Sequence, residues 1–375
     1  MNMGIGKFLK RILPVTDNER YCLSLLRDDE EYDTVKNLVR QKKASFELRN
    51  FNITIFEDGD YFQLFPLTSE PIDDELLRSV NHKLKEMSLV GHFKKFSEYA
   101  YGILPNLIAP EVPGMEEVKR AVALQLFSKE SLHIMLIGDL NLKRTDFLES
   151  AADFAAHSVI GNPVHDTLAS AEGGMLAKAN NGLAAITNLN GIKRTDRSIL
   201  FNVMDRGYVT FERNGVEIKY DTNVNLLACA VPSGNKFMRT FESIRDQIPF
   251  DPLFMQRFHL VFVMREPDVT TVMKHKENPE AKLKLRQEDY NFIRAYVKWC
   301  LGLEVSVPKR HEDEIISFVD ELKKKEYSFL YKMSPRVVLG LVRLAKCSAR
   351  LEMRDMVNDS DIERAKNLLS QSLKV

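Results

Sequence analysis

The chain is poor in the groups that mark several protein classes. Its four cysteines, Cys22, Cys229, Cys300 and Cys347, lie far apart with no CxxC or CxxH pair, which argues against both a disulfide framework and a zinc site. His133, His157 and His165 have no ligand spacing either, so metal is not expected. Lys plus Arg and Asp plus Glu are each 53. With zero net charge, any nucleic-acid contact must come from a local patch. No apolar run approaches the roughly 18 residues of a membrane span, and the start MNMGIGKFLKRIL lacks a continuous apolar signal core. The expectation is a reducing, cytoplasmic setting without a membrane partner.

What is present suits a folded protein. At 44% hydrophobic and 28% charged over 375 residues, without low-complexity tracts, the chain is expected to form two or three globular domains. Ile5, Phe8, Leu9, Ile12 and Leu13 fall on one face of a helix, which we expect to dock on its own domain. From Asp17 to about Lys43 the pattern is charged and helical. ASFELRNFNITIFEDGDYFQLFPL then alternates in strand fashion and breaks at Asp58-Gly59, a hairpin signal. A helical stretch from Glu75 to Phe96 and a proline-punctuated connector from Gly102 to Pro113 follow. Residues 1–97 therefore read as a small α+β module of unknown role.

Beyond it, Glu116 to Phe127 reads as a helix, Leu132 to Ile137 as a strand buried on both faces, and Arg144 to His157 as another helix. GLAAITNL at Gly182 to Leu189, VNLLACA at Val224 to Ala230 and HLVFV at His259 to Val263 are further short apolar runs. Such runs alternating with helices predict a doubly wound parallel α/β sheet over 98–265. Residues 266–375 read as helical, over Gln287–Leu301, His311–Glu326, Pro335–Met353 and Ser360–Leu373.

The segment LHIMLIGDLNLKRT has the strand, glycine, polar loop and helix of a GxxxxGK[ST] phosphate loop. Counted from Gly138, the second glycine is replaced by Lys143 and the lysine by Arg144, while Thr145 fits. Gly138, Asp139, Asn141, Lys143, Arg144 and Thr145 are the candidate nucleotide-binding residues. Arg144 keeps the charge of a lysine but not its compact shape.

The order of motifs resembles the AAA+ ATPase module of the mini-chromosome maintenance (MCM) replicative helicases. PNLIAPEVPGMEEVKRAVALQLF at Pro105 to Phe127 is similar to the family's Ile-Ala-Pro segment and Gly-x-x-x-Val-Lys helix, and LHIMLIGD to its strand and phosphate loop. TDRSILFNVMDRGYVTFERNGVEIKYDTNVNLLACAVP at Thr195 to Pro232 is similar to its Asp-Arg-x-x-Leu helix, β-hairpin and sensor strand. DPLFMQRFHLVFV resembles its Ser-Arg-Phe-Asp segment. The resemblance runs from about residue 98 to the C-terminus and implies an AAA+ P-loop core with a C-terminal helical lid domain.

It also implies roles. Arg257 matches the arginine finger that reaches a neighbour's γ-phosphate, and Arg336 the second sensor arginine of the lid. Arg213, at the tip of the Val209–Tyr220 hairpin, matches a basic residue placed on DNA. Where the family has an Asp-Glu pair, this chain has Thr187 and Asn188, neither of which acts as a general base at neutral pH. Val231 stands where the family has its sensor asparagine. The segment from His157 to Gly182 is too short for the family's second pore element.

Three readings follow. One is a degenerate MCM homologue that does not hydrolyse ATP, binds it weakly if at all, and acts as a structural or regulatory replication partner of an active MCM helicase or of itself, nucleoid-associated where DNA is bound. Another is a weakly active DNA-dependent ATPase or helicase that borrows a carboxylate such as Asp139 or Asp196. A third is a monomeric protein-interaction scaffold.

Overall fold

The computed structural model describes residues 11–15, 20–24, 39–40, 53–58, 61–66, 74–213, 215–238, 244–267, 269–277, 285–324, 329–330 and 333–374. The chain divides into two compact units, Met1–Phe96 and Ser97–Val375.

In the first unit, β1 (Arg11–Val15), β2 (Arg20–Ser24), β3 (Ile53–Asp58) and β4 (Tyr61–Pro66) form an antiparallel sheet of order β1-β2-β4-β3. Asp58 pairs with Tyr61, so β3 and β4 form the hairpin that the Asp-Gly signal indicates; Gly59 itself lies outside the described residues. Two expectations are corrected. Ile12 and Leu13 belong to a strand, not a helix, and Arg20–Ser24 lies in β2 within the stretch read as helical. Pro14 would break a helix interior, yet it is tolerated in β1, an edge strand. Residues 1–10 of the expected first helix lie outside the described residues. A helix, α1 (Asp74–Ser97), follows the sheet.

The second unit opens with α2 (Ala100–Leu107) and α3 (Glu116–Gln125), then builds a parallel sheet of order β11-β5-β10-β7-β6. Its strands are β5 (Ile134–Gly138), β6 (Ser158–Gly161), β7 (Leu183–Ile186), β10 (Asn225–Ala230) and β11 (Leu260–Met264). Every residue of β5 and β7 is buried, as expected of strands covered on both faces. Strand β6 was not foreseen. It has four residues, sits at the sheet edge and is only partly buried, so its apolar signal is weak. Helix α4 (Arg144–Phe154) packs on β10, β7 and β6. A short α5 (Met175–Lys178), then α6 (Arg194–Arg206) and an antiparallel hairpin of β8 (Tyr208–Arg213) and β9 (Val216–Asp221) are inserted before β10.

After β10 and β11, with the short α7 (Pro252–Met255) between them, come α8 (Val269–Glu277), α9 (Gln287–Leu301), α10 (Lys309–Lys323), α11 (Arg336–Leu351) and α12 (Asp359–Ser372). Helix α11 is strapped to the core by basic side chains three and seven residues apart, which share a helix face. Arg343 donates to Ser131 O, Lys346 lies 2.8 Å from Glu130, and Arg350 donates to Phe127 O at 3.2 Å.

Beneath that strap, His133 N–H donates to His259 Nδ1 at 2.9 Å, and the two rings lie 5.2 Å apart. Burial, with the Arg343 and Arg336 charges added, depresses His133 to about 3. A histidine depressed in the folded state is protonated first in the unfolded chain, so its contribution to stability falls as pH drops from about 6.5 toward about 3. Between pH 7 and 5 this amounts to about 2 kcal/mol. Burial depresses the neighbouring His259 as well, so denaturant unfolding at the two pH values should give a loss of at least that order, and His133→Asn should shrink it.

Candidate functional site

Strand β5 ends at Gly138, and a Cβ placed there would lie 2.9 Å from Met264 Cβ and 3.2 Å from both Arg144 Cδ and Leu142 Cδ1. The glycine is required by packing against its own neighbours. Gly138→Ala should cost about 1–3 kcal/mol in thermal or denaturant unfolding, the usual range for overpacking a tight core.

Arg144, the first residue of α4, turns its guanidinium back into the loop, where Nη1 donates to Gly138 O at 2.5 Å and to Asp139 O. Burial lowers its pKa, with Cys229 and Asp139 acting in the opposite direction. The Cys229 thiol, buried beside it, is pushed up to about 12. Asp139 is buried and its Oδ1 accepts from Phe237 N at 2.7 Å. The Leu140, Leu142 and Arg144 N–H groups donate to Asn235 O, Asp139 O and Leu142 O. These three donors are satisfied within the chain. Lys143 points outward, 4.0 Å from Asp146 and 65% exposed, and Asn141 and Thr145 are exposed.

Register brings the other candidates to the same edge of the sheet. Ala230 pairs with Ile137 and Ala228 with Ile186, so Thr187, Asn188 and Val231 all follow strands that end beside Gly138. The Thr187 hydroxyl and N–H both donate to Gly161 O, at 3.4 and 3.0 Å, which turns that residue toward β6. Asn188 carries no charge. Asn190, which sequence reasoning passed over, clamps the third position: its Oδ1 accepts from Val231 N at 2.8 Å and its Nδ2 donates to Val231 O at 3.0 Å.

Arg257 and Arg336 sit elsewhere. Strands β11 and β5 run parallel with Leu260 opposite Ile134 and Met264 opposite Gly138. Arg257, just before β11, therefore lies at the edge where β5 begins. The five residues of β5 separate the two edges by roughly 16 Å. Asp251 caps α7 by accepting from Phe254 N at 2.9 Å, and Phe254 packs against Phe201, Phe250 and Phe258. The turn after α7 then lays Arg257 over the Phe201 ring at 4.0 Å, with Nη1 donating to Leu253 O at 2.6 Å.

Arg336 opens α11. Its Nη2 lies 2.8 Å from Asp205 Oδ1, and Arg257 approaches the same carboxylate at 3.4 Å. Two arginines distant in sequence thus meet at Asp205, near the end of α6, a residue that no motif singled out. Ser334 Oγ donates to Gln256 O at 3.3 Å, joining the two arginine-bearing segments.

Family models match the chain in two blocks, an MCM P-loop domain over residues 90–275 and an MCM AAA-lid domain over residues 291–373. The chain belongs to the MCM family. DNA replication licensing factor mcm7 of Xenopus tropicalis is 24% identical over 72% of this chain and 43% of its own length. The mcm7 factor of Schizosaccharomyces pombe is 26% identical over 72% and 41%, and mcm6 of the same yeast 22% identical over 88% and 39%. The chain spans about two fifths of the length of these relatives. The expected AAA+ core and helical lid correspond to the two matched domains.

In this MCM module, Arg213 ends β8 and pairs with Glu172 at 3.4 Å, both side chains exposed. Arg213 and Val216 are partners, leaving two residues in the turn, and Gly215 takes φ +75°, the left-handed region that glycine favours. Asn214 lies outside the described residues. Tyr220 OH donates to Ala171 O at 3.0 Å, holding the hairpin to the preceding loop. Over Tyr208–Asp221 the hairpin carries the carboxylates Glu212, Glu217 and Asp221 against Arg213 and Lys219.

Proposed function

We propose that this chain is an MCM-type AAA+ subunit that does not turn over ATP at its own loop and serves DNA replication as the structural partner of a competent MCM subunit. The observation that carries this reading is the Arg144 guanidinium folded into its own loop, on Gly138 O and Asp139 O. A phosphate cradle needs converging N–H donors and a compact cation. Here alternate N–H groups are satisfied internally and the cation is bound to carbonyls, so the loop in this arrangement does not fit a magnesium nucleotide. Thr187 and Asn188 supply no carboxylate to hold metal or aim water. Asp139 is committed to Phe237 N.

The arginine side is chemically intact. Arg257 and Arg336 present two guanidinium forks, the geometry suited to phosphate oxygens, at the edge away from their own loop. We read them as serving a neighbour's nucleotide. The mcm6 and mcm7 relatives are DNA replication licensing factors, which supports replication as the process.

Contact of Arg213 with DNA would require its release from Glu172 and would meet the excess of carboxylates on the hairpin. We therefore assign the chain's part in replication to its subunit interface. Purified chain incubated with magnesium and ATP, with and without DNA, is expected to release no phosphate above a protein-free blank. Turnover abolished by Arg144→Ala or Asp196→Asn would overturn the reading.

A further inference from the structure

We propose that Asp205 is a positioning residue and a built-in competitor: its carboxylate occupies the place between Arg257 and Arg336 that a phosphate group would take, holding both guanidinium forks poised until an anion displaces it. This rests on the reading of the two arginines as a phosphate-facing pair, and adds to it the group that governs their availability.

The geometry carries the inference. Asp205 Oδ1 lies 2.8 Å from Arg336 Nη2 and 3.4 Å from Arg257 Nε, while Oδ2 accepts from Arg257 Nη2 at 3.4 Å. One carboxylate thus bridges two cations, a cluster with net charge of plus one. Both arginines have a second anchor independent of Asp205. Arg257 is held by Leu253 O and by the Phe201 ring, and Arg336 Nη1 reaches Met204 O at 3.5 Å. Loss of the carboxylate therefore leaves the forks near their places rather than free to swing away.

Accessibility sets the strength of the latch. The side chains of Asp205, Arg257 and Arg336 are 30%, 25% and 34% exposed. Ion pairs reached by water and salt are weak, and a polyphosphate brings more negative charge and more acceptor oxygens to planar guanidinium groups than one carboxylate does. The carboxylate is thus displaceable. It also suppresses the mutual repulsion of two like charges when no anion is present.

The test uses the full chain and inorganic tripolyphosphate as the probe, followed by titration calorimetry at low ionic strength. Asp205→Asn, which keeps the size and one acceptor oxygen but removes the charge, is expected to tighten binding on the order of five-fold. Adding Arg257→Gln or Arg336→Gln to Asp205→Asn is expected to cancel the gain. Asp320→Asn, at an exposed carboxylate paired with Lys323, controls for removal of a charge elsewhere and is expected to change nothing. Unchanged binding in Asp205→Asn, an equal gain in Asp320→Asn, or a gain that survives loss of either arginine would overturn the proposal. Circular dichroism and melting of each variant confirm folding, and Asp205→Ser, expected to show the same gain, replaces Asp205→Asn if that variant unfolds. Service to a neighbour's nucleotide is measured separately, in mixtures with an ATPase-competent MCM subunit. Loss of that effect without loss of the tripolyphosphate response would reject the interface reading and leave the latch standing.

Discussion

Replacing Arg257 with alanine should lower the ATP turnover of a competent MCM subunit assembled with this chain by on the order of 10³-fold, the smaller end of what an arginine supplied in trans contributes. The expected size follows from how the side chain is held. A guanidinium lying over Phe201 at 4.0 Å and tied to Leu253 O has much of its conformational freedom removed before any phosphate arrives. Arg257→Lys should recover little of the loss, because an ammonium cannot reproduce the planar fork. The measurement is phosphate release by a mixed assembly whose partner carries its own arginine finger mutated to alanine, so that the readout reports this chain's arginine alone. Equal turnover with the native chain and with Arg257→Ala, at matched assembly by light scattering, would remove the interface reading.

The second large effect concerns the lid. Asp361 is fully buried, and both its oxygens accept from Arg354 at 2.7 Å, while Oδ2 also accepts from Asn358 N at 2.9 Å at the start of α12. The bonds to Asp361 are the leading cause that raises the Arg354 pKa, opposed by burial. Taking away one partner of such a pair leaves a charge in a place that water cannot reach, which costs about 3–5 kcal/mol. Arg364, 3.7 Å from Asp361, offers some compensation, so Arg354→Ala should fall near the lower end, about 3 kcal/mol. Trp299, the single tryptophan, lies on α9 within the helical part. Its fluorescence through a denaturant titration reads the loss directly. A change below about 1 kcal/mol, the scale of an exposed pair, would show that this carboxylate is not isolated from solvent.

Much of this architecture was legible in the residues. IMLIG, LAAI and NLLACA stand out because strands buried on both faces must be apolar throughout. Asp58-Gly59 and Asn214-Gly215 mark hairpins because few residues accept the turn geometry. The helices of the lid follow from periodicity, Gln287 to Leu301 to the residue. Ser158–Gly161 escaped because a short, half-covered edge strand has no continuous apolar run, and Ile12 and Leu13 were misplaced because so few residues fit either period.

At the candidate site, the altered loop was readable as a list of substitutions, but not as a fold. That Arg144 turns inward while Lys143 points to solvent is a tertiary feature: Arg144 Cδ lies 3.2 Å from where a Cβ at Gly138 would sit, and Lys143 is 65% exposed. Asp205 and Asn190 carried no signal at all. Each acquires its part only when tertiary structure brings it to residues remote in the chain, Asp205 to Arg257 and Arg336, Asn190 to Val231.

The separation of the altered loop from the arginine pair by the length of β5 makes the molecule directional. If the proposed reading holds, the arginines of one copy meet the loop of another only when the subunits stack head to tail, a heterologous contact that closes into a ring or runs on as a filament. Seated in such a series, the chain would idle the junction formed at its own loop and leave the junction on its other flank in service. Every such subunit would therefore remove one firing position from the circle while preserving the circumference.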